Sequence, residues 1–257
     1  MPAYTVAIGG RNETSAGIRA LHILRDELQA RGHEAAMSYD RVIPGSVAVY
    51  PEIEGGNPLG AKRIARWLLG AAPNLPDGVQ FQWGGGMDPK GSPVLCVDLL
   101  EPDIWFPRSG PRSGVGYWIG RGGANFDQLN QQLNMHGLVE LPTGRNGFRH
   151  RRELADWLAG LDFFISFDPY TAVITEAINV GTPVQVLAAP DDPRLRFGMG
   201  NEWNRFGVAW TPGHLDYARD TVGHAYSHYR DVCVPEFGRQ VDRFVELTSD
   251  ESMGVAA

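Results

Sequence analysis

The sequence predicts an α/β protein built as two Rossmann-like lobes with a cleft between them, and three observations carry that expectation. Short apolar runs alternate with amphipathic runs along the chain, the pattern of strands and crossover helices in parallel sheets. The rhythm breaks once, at PDIWFPRSGPRSGVG (102–116), where Pro, Gly, Ser and Arg concentrate, and then restarts. A length of 257 residues with 43% hydrophobic content fills one large core or two small ones.

The elements follow in order. YTVAIGG (4–10) alternates as a first strand, and a glycine-containing loop leads into GIRALHILRDELQARGH, which ends at Gly32. Ile18, Leu21, Leu24 and Leu28 recur at helical spacing, with Arg19, Arg25, Asp26 and Arg31 on the opposite side. EAAMSY and SVAVYPE are short strands. PLGAKRIARWLLGAA starts with Pro58, suited to a first helical turn, and is expected to be a helix that buries Ile64, Trp67 and Leu68. FQW and PVLCVDL complete the half.

After the break come YWIGRGG as strand and loop, NFDQLNQQLNMHG as helix, LVELPTG as strand and loop, and RRELADWLAGL as helix. DFFISFD is then a strand, TAVITEAINVG a helix and PVQVLAA another strand. The C-terminal portion holds two helices broken at Pro235. The expected division is an N-terminal acceptor lobe over 1–113, a C-terminal donor lobe over 114–225, and C-terminal helices over 226–257, free to cross back to the first lobe.

Composition narrows the function. With 23 basic against 30 acidic residues the net charge is −7, which repels polyanions and anionic membranes and argues against tight non-specific nucleic-acid binding. Of the basic residues 21 are Arg and only Lys62 and Lys90 are Lys. Codon bias accounts for that, and so does a need for guanidinium forks on phosphate oxygens. Cys96 and Cys233 lie far apart and suggest neither a disulfide framework nor a metal cluster. No stretch approaches the roughly 20 apolar residues of a membrane span, and the N-terminus lacks a secretory signal, so a reducing cytoplasm is expected.

The most informative segment is DFFISFDPYTAVITEAINVGTPVQVL (162–187), where a buried strand ends at Asp168 and a helix is expected immediately after it, opened by Pro169. Along that helix Ala172, Val173, Ala177 and Val180 pack inward, while Thr175, Glu176 and Asn179 form a polar stripe that places Glu176 toward solvent or a cleft. Free backbone N–H groups at 170–173 and the positive end of the helix dipole favour an anion such as a diphosphate. A plainer reading also stands: Asp168 caps the helix and Glu176 faces water.

Asp168, seven intervening residues and Glu176, followed by AINVGTPVQV, resemble the acidic-x7-Glu signature of retaining glycosyltransferases with the GT-B fold. The likeness extends to RRELADWLAGLDFFIS before the motif and to SAGIRALHILRDELQARGHEA in the first βα unit. VAVYPEIEGGNPLGAKRIARWLL is similar to a segment of bacterial capsule and lipopolysaccharide glycosyltransferase-like proteins. The resemblance implies transfer of a sugar from a nucleoside diphosphate sugar to a hydroxyl with retained anomeric configuration. It implies that Glu176 binds the donor ribose, that Asp168 contacts the transferred sugar, and that the N–H groups of Tyr170, Thr171 and Ala172 hold the diphosphate.

Breaking a glycosyl–phosphate bond leaves negative charge on the departing diphosphate, which a cation or helix N-terminus must stabilise. No Asp-x-Asp site is present, so no metal and no cofactor is expected; Arg side chains and the helix at 169 take that role. Arg121 in YWIGRGG is the best candidate. Related enzymes commonly carry a Lys soon after this Arg, and GRGGANFDQ has none. Arg145 and Arg149 in GRNGFRHRR are possible substitutes, although a charged run at a helix start also reads as a solvated face. Thr143, Gly144 and Phe148 are candidates to border the nucleobase. Gly10 and Gly17, with Gly9, either approach the diphosphate from the first lobe or serve close strand–helix packing.

Other readings are weaker. GRGGAN carries Asn125 where the final glycine of a dinucleotide fingerprint belongs, which argues against a nicotinamide enzyme. His224 and His228 share a helix spacing without a further ligand nearby, and Trp203 and Trp210 line an acceptor groove or pack in the core. The principal rival is a non-catalytic GT-B-like nucleotide-binding protein. The acceptor stays open among saccharide, protein and modified nucleic acid.

Overall fold

The protein is seen in a computed structural model that describes residues 1–8, 15–70, 78–84, 91–129, 137–142 and 147–249. It divides into two compact units, one formed by Met1–Leu99 with Val234–Ala257, the other by Leu100–Cys233.

The first unit holds β1 (Tyr4–Ala7), α1 (Ala16–Ala30), β2 (Ala35–Ser38), β3 (Val47–Pro51), β4 (Arg63–Leu68) and β5 (Val79–Gln82). All strand pairs are parallel and the order is β2-β1-β3-β4-β5. Side chains alternate between two faces, as a pleated strand requires. Tyr4, Val6, Val47, Val49, Ala65, Trp67 and Phe81 join Leu21, Leu24 and Leu28 of α1 and Val241 and Phe244 of the C-terminal helix in one cluster. Ala7, Ala48, Tyr50 and Ile64 join Ala61 in a second, smaller cluster. Ile18, expected in the core, is only half-buried, and Ala20 takes its place.

Residues 63–68 form the strand β4, not the helix expected from Pro58 onward. Ile64 through Leu68 are all buried between β3 and β5. A strand covered on both faces reads as an unbroken apolar run, and such a run also satisfies helical spacing at Ile64, Trp67 and Leu68. Pro58 lies instead in a turn organised by Asn57, whose side chain accepts from Ala61 N–H at 2.9 Å and donates to the Ala61 carbonyl at 2.8 Å. Arg66 is fully buried in this strand, with its guanidinium on the carbonyls of Glu54 and Gly56 and 4.8 Å from the centre of the Tyr50 ring.

The second unit holds β6 (Val115–Trp118), α2 (Gly123–Leu129), β7 (Val139–Glu140), α3 (Arg151–Ala159), β8 (Phe163–Ser166), α4 (Ala172–Asn179), β9 (Val184–Val186), α5 (Pro193–Met199), β10 (Val208–Ala209) and α6 (Leu215–His228). Its strands are also parallel, in the order β10-β9-β8-β6-β7. Read from the opposite edge this repeats the first unit: second strand outermost, then first, third, fourth and fifth. Both units are Rossmann-like. In such sheets ligands bind beyond the carboxyl ends of the strands where the order reverses, here between β6 and β8.

The division between units falls at 99/100 and 233/234, whereas the sequence suggested 113/114 and 225/226. The segment from Leu100 is tied to the second unit by its arginines. Arg108 pairs with Asp156, and Arg112 donates to the carbonyls of Leu161 and Val180 and to Thr182 Oγ1. Pro- and Gly-rich composition signalled irregular backbone but carried no trace of those tertiary bonds. At the other junction a π turn, Tyr229–Cys233, follows α6, and α7 (Val234–Ser249) carries Pro235 in its first turn. Among the described residues no helix is long and apolar enough to cross a membrane.

Candidate functional site

Three loops meet at the carboxyl edge of the second sheet: Ile119–Gly122 after β6, Phe167–Thr171 after β8, and residues 187–192 after β9. Glycine permits their approach. A Cβ on Gly122 would lie 2.1 Å from the Phe167 carbonyl oxygen, so the β6 loop reaches β8 only because position 122 has no side chain.

Asp168 is 2% exposed and organises this edge. Its Oδ2 accepts from the Arg121 backbone N–H at 3.1 Å and from Arg121 Nε at 3.2 Å, and its Oδ1 accepts from Tyr170 N–H at 3.1 Å. Ser166 Oγ donates to the Asp168 carbonyl at 2.7 Å. Arg121 also donates to the Tyr170 carbonyl, and more than half of its side chain remains exposed. The structure therefore brings Arg121 and Asp168 together, from loops on either side of the strand-order reversal.

Several expectations change. The helix starts at Ala172, not at Pro169; Thr171 is its N-cap, in extended conformation and without a side-chain capping bond. Asp168 is not the cap, and its oxygens turn the loop before the helix. Tyr170 N–H points to the Asp168 carboxylate and is not available to a diphosphate, whereas the N–H groups of Thr171, Ala172 and Val173 stand at the start of α4, where no preceding turn of helix supplies acceptors.

Glu176 does not face solvent: Thr175, Glu176 and Asn179 are 7%, 3% and 0% exposed. From Ile174 to Asn179 helix α4 is enclosed, and its polar side chains are tied internally except at Asn179 Oδ1, a buried oxygen with no hydrogen-bond partner among the described residues. Thr175 Oγ1 donates to Asn204 Oδ1 at 2.9 Å, Asn179 Nδ2 donates to the Thr175 carbonyl at 2.8 Å, and Glu176 Oε1 lies 3.4 Å from Arg151 Nη2. Helical spacing identified a polar stripe but not what covers it. Arg151 supplies the cover, held in turn by Glu101 and 5.0 Å from the centre of the Trp105 ring.

Gly10, Thr143, Gly144 and Arg145 lie outside the described residues. Gly17 belongs to the first unit, in the first turn of α1, where a Cβ would meet Leu69 Cδ1 at an ordinary 3.5 Å. Phe148 packs its ring 5.8 Å from Trp157. The backbone N–H of Arg149 donates to Glu153 at the start of α3, the helix-start role. His224 and His228 flank the Phe206 ring, and among the described residues no group of three or more His, Cys, Asp or Glu is placed to hold a metal.

Three residues the sequence reading missed complete the edge. Buried Asn125 donates from Nδ2 to the Phe167 carbonyl at 2.9 Å and to Asp192 Oδ2 at 2.8 Å, and its Oδ1 accepts from Ala189 N–H at 2.9 Å. It thus joins all three loops. Asp192 caps α5 and holds Arg194 through Nε at 3.0 Å and Nη2 at 2.7 Å. Arg194 hydrogen bonds pull the Asp192 carboxyl down to about 2 and Asp192 raises the Arg194 guanidinium in return. One signal was legible: the Asp-Pro pair of 168–169 recurs at 192–193, again between a strand and the helix that follows it.

No protein-family model matches the chain, and no curated protein matches it. Solved structures do. The T4 phage β-glucosyltransferase aligns with 97% of this chain and 100% of its own at 9% identity and a TM-score of 0.48. The glycosyltransferase SnogD from Streptomyces nogalater aligns over 96% and 99% at 12% identity and a TM-score of 0.42. The glycosyltransferase SsfS6 from Streptomyces sp. SF2575 aligns over 99% and 97% at 10% identity and a TM-score of 0.42. Likeness at this level says nothing about chemistry, and the fold class rests on the two sheets themselves.

Proposed function

We propose that the protein is a glycosyltransferase of the GT-B type that moves a sugar from a nucleoside diphosphate sugar to an acceptor hydroxyl, with retention and without a metal. The observation that carries this is the Arg121–Asp168 pair at the carboxyl edge of β6 and β8, where the strand order reverses, next to the first turn of α4. Arg121 presents an exposed guanidinium to the departing diphosphate, and the N–H groups of Ala172 and Val173 add the positive end of the helix. A carboxylate as buried as Asp168 acts on the donor through Arg121, by fixing its backbone and its Nε. The donor binds to the second unit, and the buried thiols of Cys96 and Cys233 accord with a reducing cytoplasm.

One observation favours a second reading, a nucleotide-binding protein without turnover: the Glu176 carboxylate assigned to the donor ribose is sealed by Arg151. Incubation with a panel of nucleotide sugars separates the two. Transfer predicts release of nucleoside diphosphate that largely disappears in Arg121→Ala, and that persists in the presence of a chelator. Nucleotide binding in a thermal-shift assay with no release selects the second reading, and activity abolished by chelation and restored by magnesium or manganese removes the metal-free assignment.

A further inference from the structure

We propose that Arg194 is the second cation of the diphosphate site, held in place by Asp192 and Asn125. This rests on the nucleoside diphosphate reading above and adds a residue to it. A departing diphosphate carries charge on two phosphoryl groups, and the β6 loop supplies Arg121 but no lysine after it. Arg194 reaches the same carboxylate from a different element, the start of α5. Its Nη1 lies 3.6 Å from Asp168 Oδ1 and donates to the Arg121 carbonyl at 2.8 Å.

Donor accounting leaves room for a ligand. A guanidinium has five N–H groups. Nε and Nη2 each give one to Asp192 and Nη1 gives one to Arg121, so one hydrogen on each terminal nitrogen remains beyond these bonds. The charges are also layered. The side chains of Asp168 and Asp192 are 3% and 7% exposed, those of Arg121 and Arg194 59% and 21%, so an arriving anion meets the guanidinium groups before the carboxylates. Asn125 fixes Asp192, and through it Arg194, against the loops after β6, β8 and β9, so the fork is set before the ligand arrives. With Asp192 ionised down to about 2, the ion pair persists across any working pH.

The test is calorimetric titration of the full chain with inorganic pyrophosphate and with UDP, GDP, ADP and dTDP, at low and high salt. Arg194→Ala is expected to weaken the bound diphosphates about ten-fold and to flatten their salt dependence, as loss of one charge-assisted contact does. Arg194→Lys, which keeps the charge and loses the fork, is expected to recover part of the affinity and the salt dependence. Equal weakening in the Ala and Lys variants, with salt dependence unchanged, would mean that Arg194 only braces the loops and overturns the proposal. So does unchanged affinity in Arg194→Ala while Arg121→Ala loses binding, an outcome that leaves the glycosyltransferase reading intact. A wild-type chain that titrates none of these diphosphates overturns both.

Discussion

Arg151 Nη2 lies 3.4 Å from Glu176 Oε1, against the carboxylate that the glycosyltransferase resemblance marked as a ribose ligand. Glu176 is almost fully buried, while Arg151 is about a fifth exposed and keeps Glu101 as a second partner, so removing Glu176 loses one ion pair and opens a cavity without stranding the arginine. Glu176→Ala is therefore expected to cost about 2 kcal/mol in urea unfolding, whereas a double variant, Arg151→Met with Glu176→Leu, regains most of that loss. Measured midpoints for the two proteins decide the matter: if the double variant is no more stable than Glu176→Ala, the pair is not the reason Glu176 is retained in the interior.

Gly122 and its neighbour Gly123 differ sharply in what surrounds them. A methyl group on Gly122 meets the Phe167 carbonyl carbon and oxygen, and on Gly123 it meets nothing within 4 Å. Gly122→Ala should lower stability by about 2–3 kcal/mol and weaken diphosphate binding with it, because the Arg121–Asp168 bonds ride on that approach. Gly123→Ala, at the first position of α2, should be neutral or slightly stabilising. Thermal melts of the two variants side by side check this.

Asp192 gives the fold an acid limit. Its carboxyl falls from 3.8 to about 2, chiefly through Arg194, so the folded state binds its proton less readily than the unfolded chain. Its contribution is complete above the unfolded value near 4 and is lost as pH falls through about 2, and its size is on the order of 1–2 kcal/mol. Asp192→Asn should flatten the stability profile between pH 4 and pH 2 while lowering stability at neutral pH. An unchanged acid slope in that variant would assign the transition to other carboxylates.

Much of the fold was legible because parallel sheets repeat a simple rhythm. The strand of Tyr4–Ala7, the helix from Ala16, and the order of elements from α3 through β9 follow the apolar spacing, while α4 opens at Ala172, three residues after the Asp-Pro signal placed it. The strand at Arg63–Leu68 was misread for a physical reason: a segment buried on both faces loses its alternation, and length alone did not separate strand from helix. The unit boundary was misplaced because the bonds of Arg108 and Arg112 connect residues far apart in the chain.

By itself the sequence determined the α/β class, two Rossmann-like units, and the places of Arg121 and Asp168 in loops that follow strands, since local periodicity and strand-end signals are properties of consecutive residues. Only the tertiary structure decided which polar groups are spent. Tyr170 N–H is committed to Asp168, Glu176 is covered by Arg151, and Asn125 of α2 meets Asp192 and Arg194 at the start of α5. A side chain's partner is chosen by the packing of segments distant in sequence, and burial turns a polar residue from a candidate ligand into an internal tie.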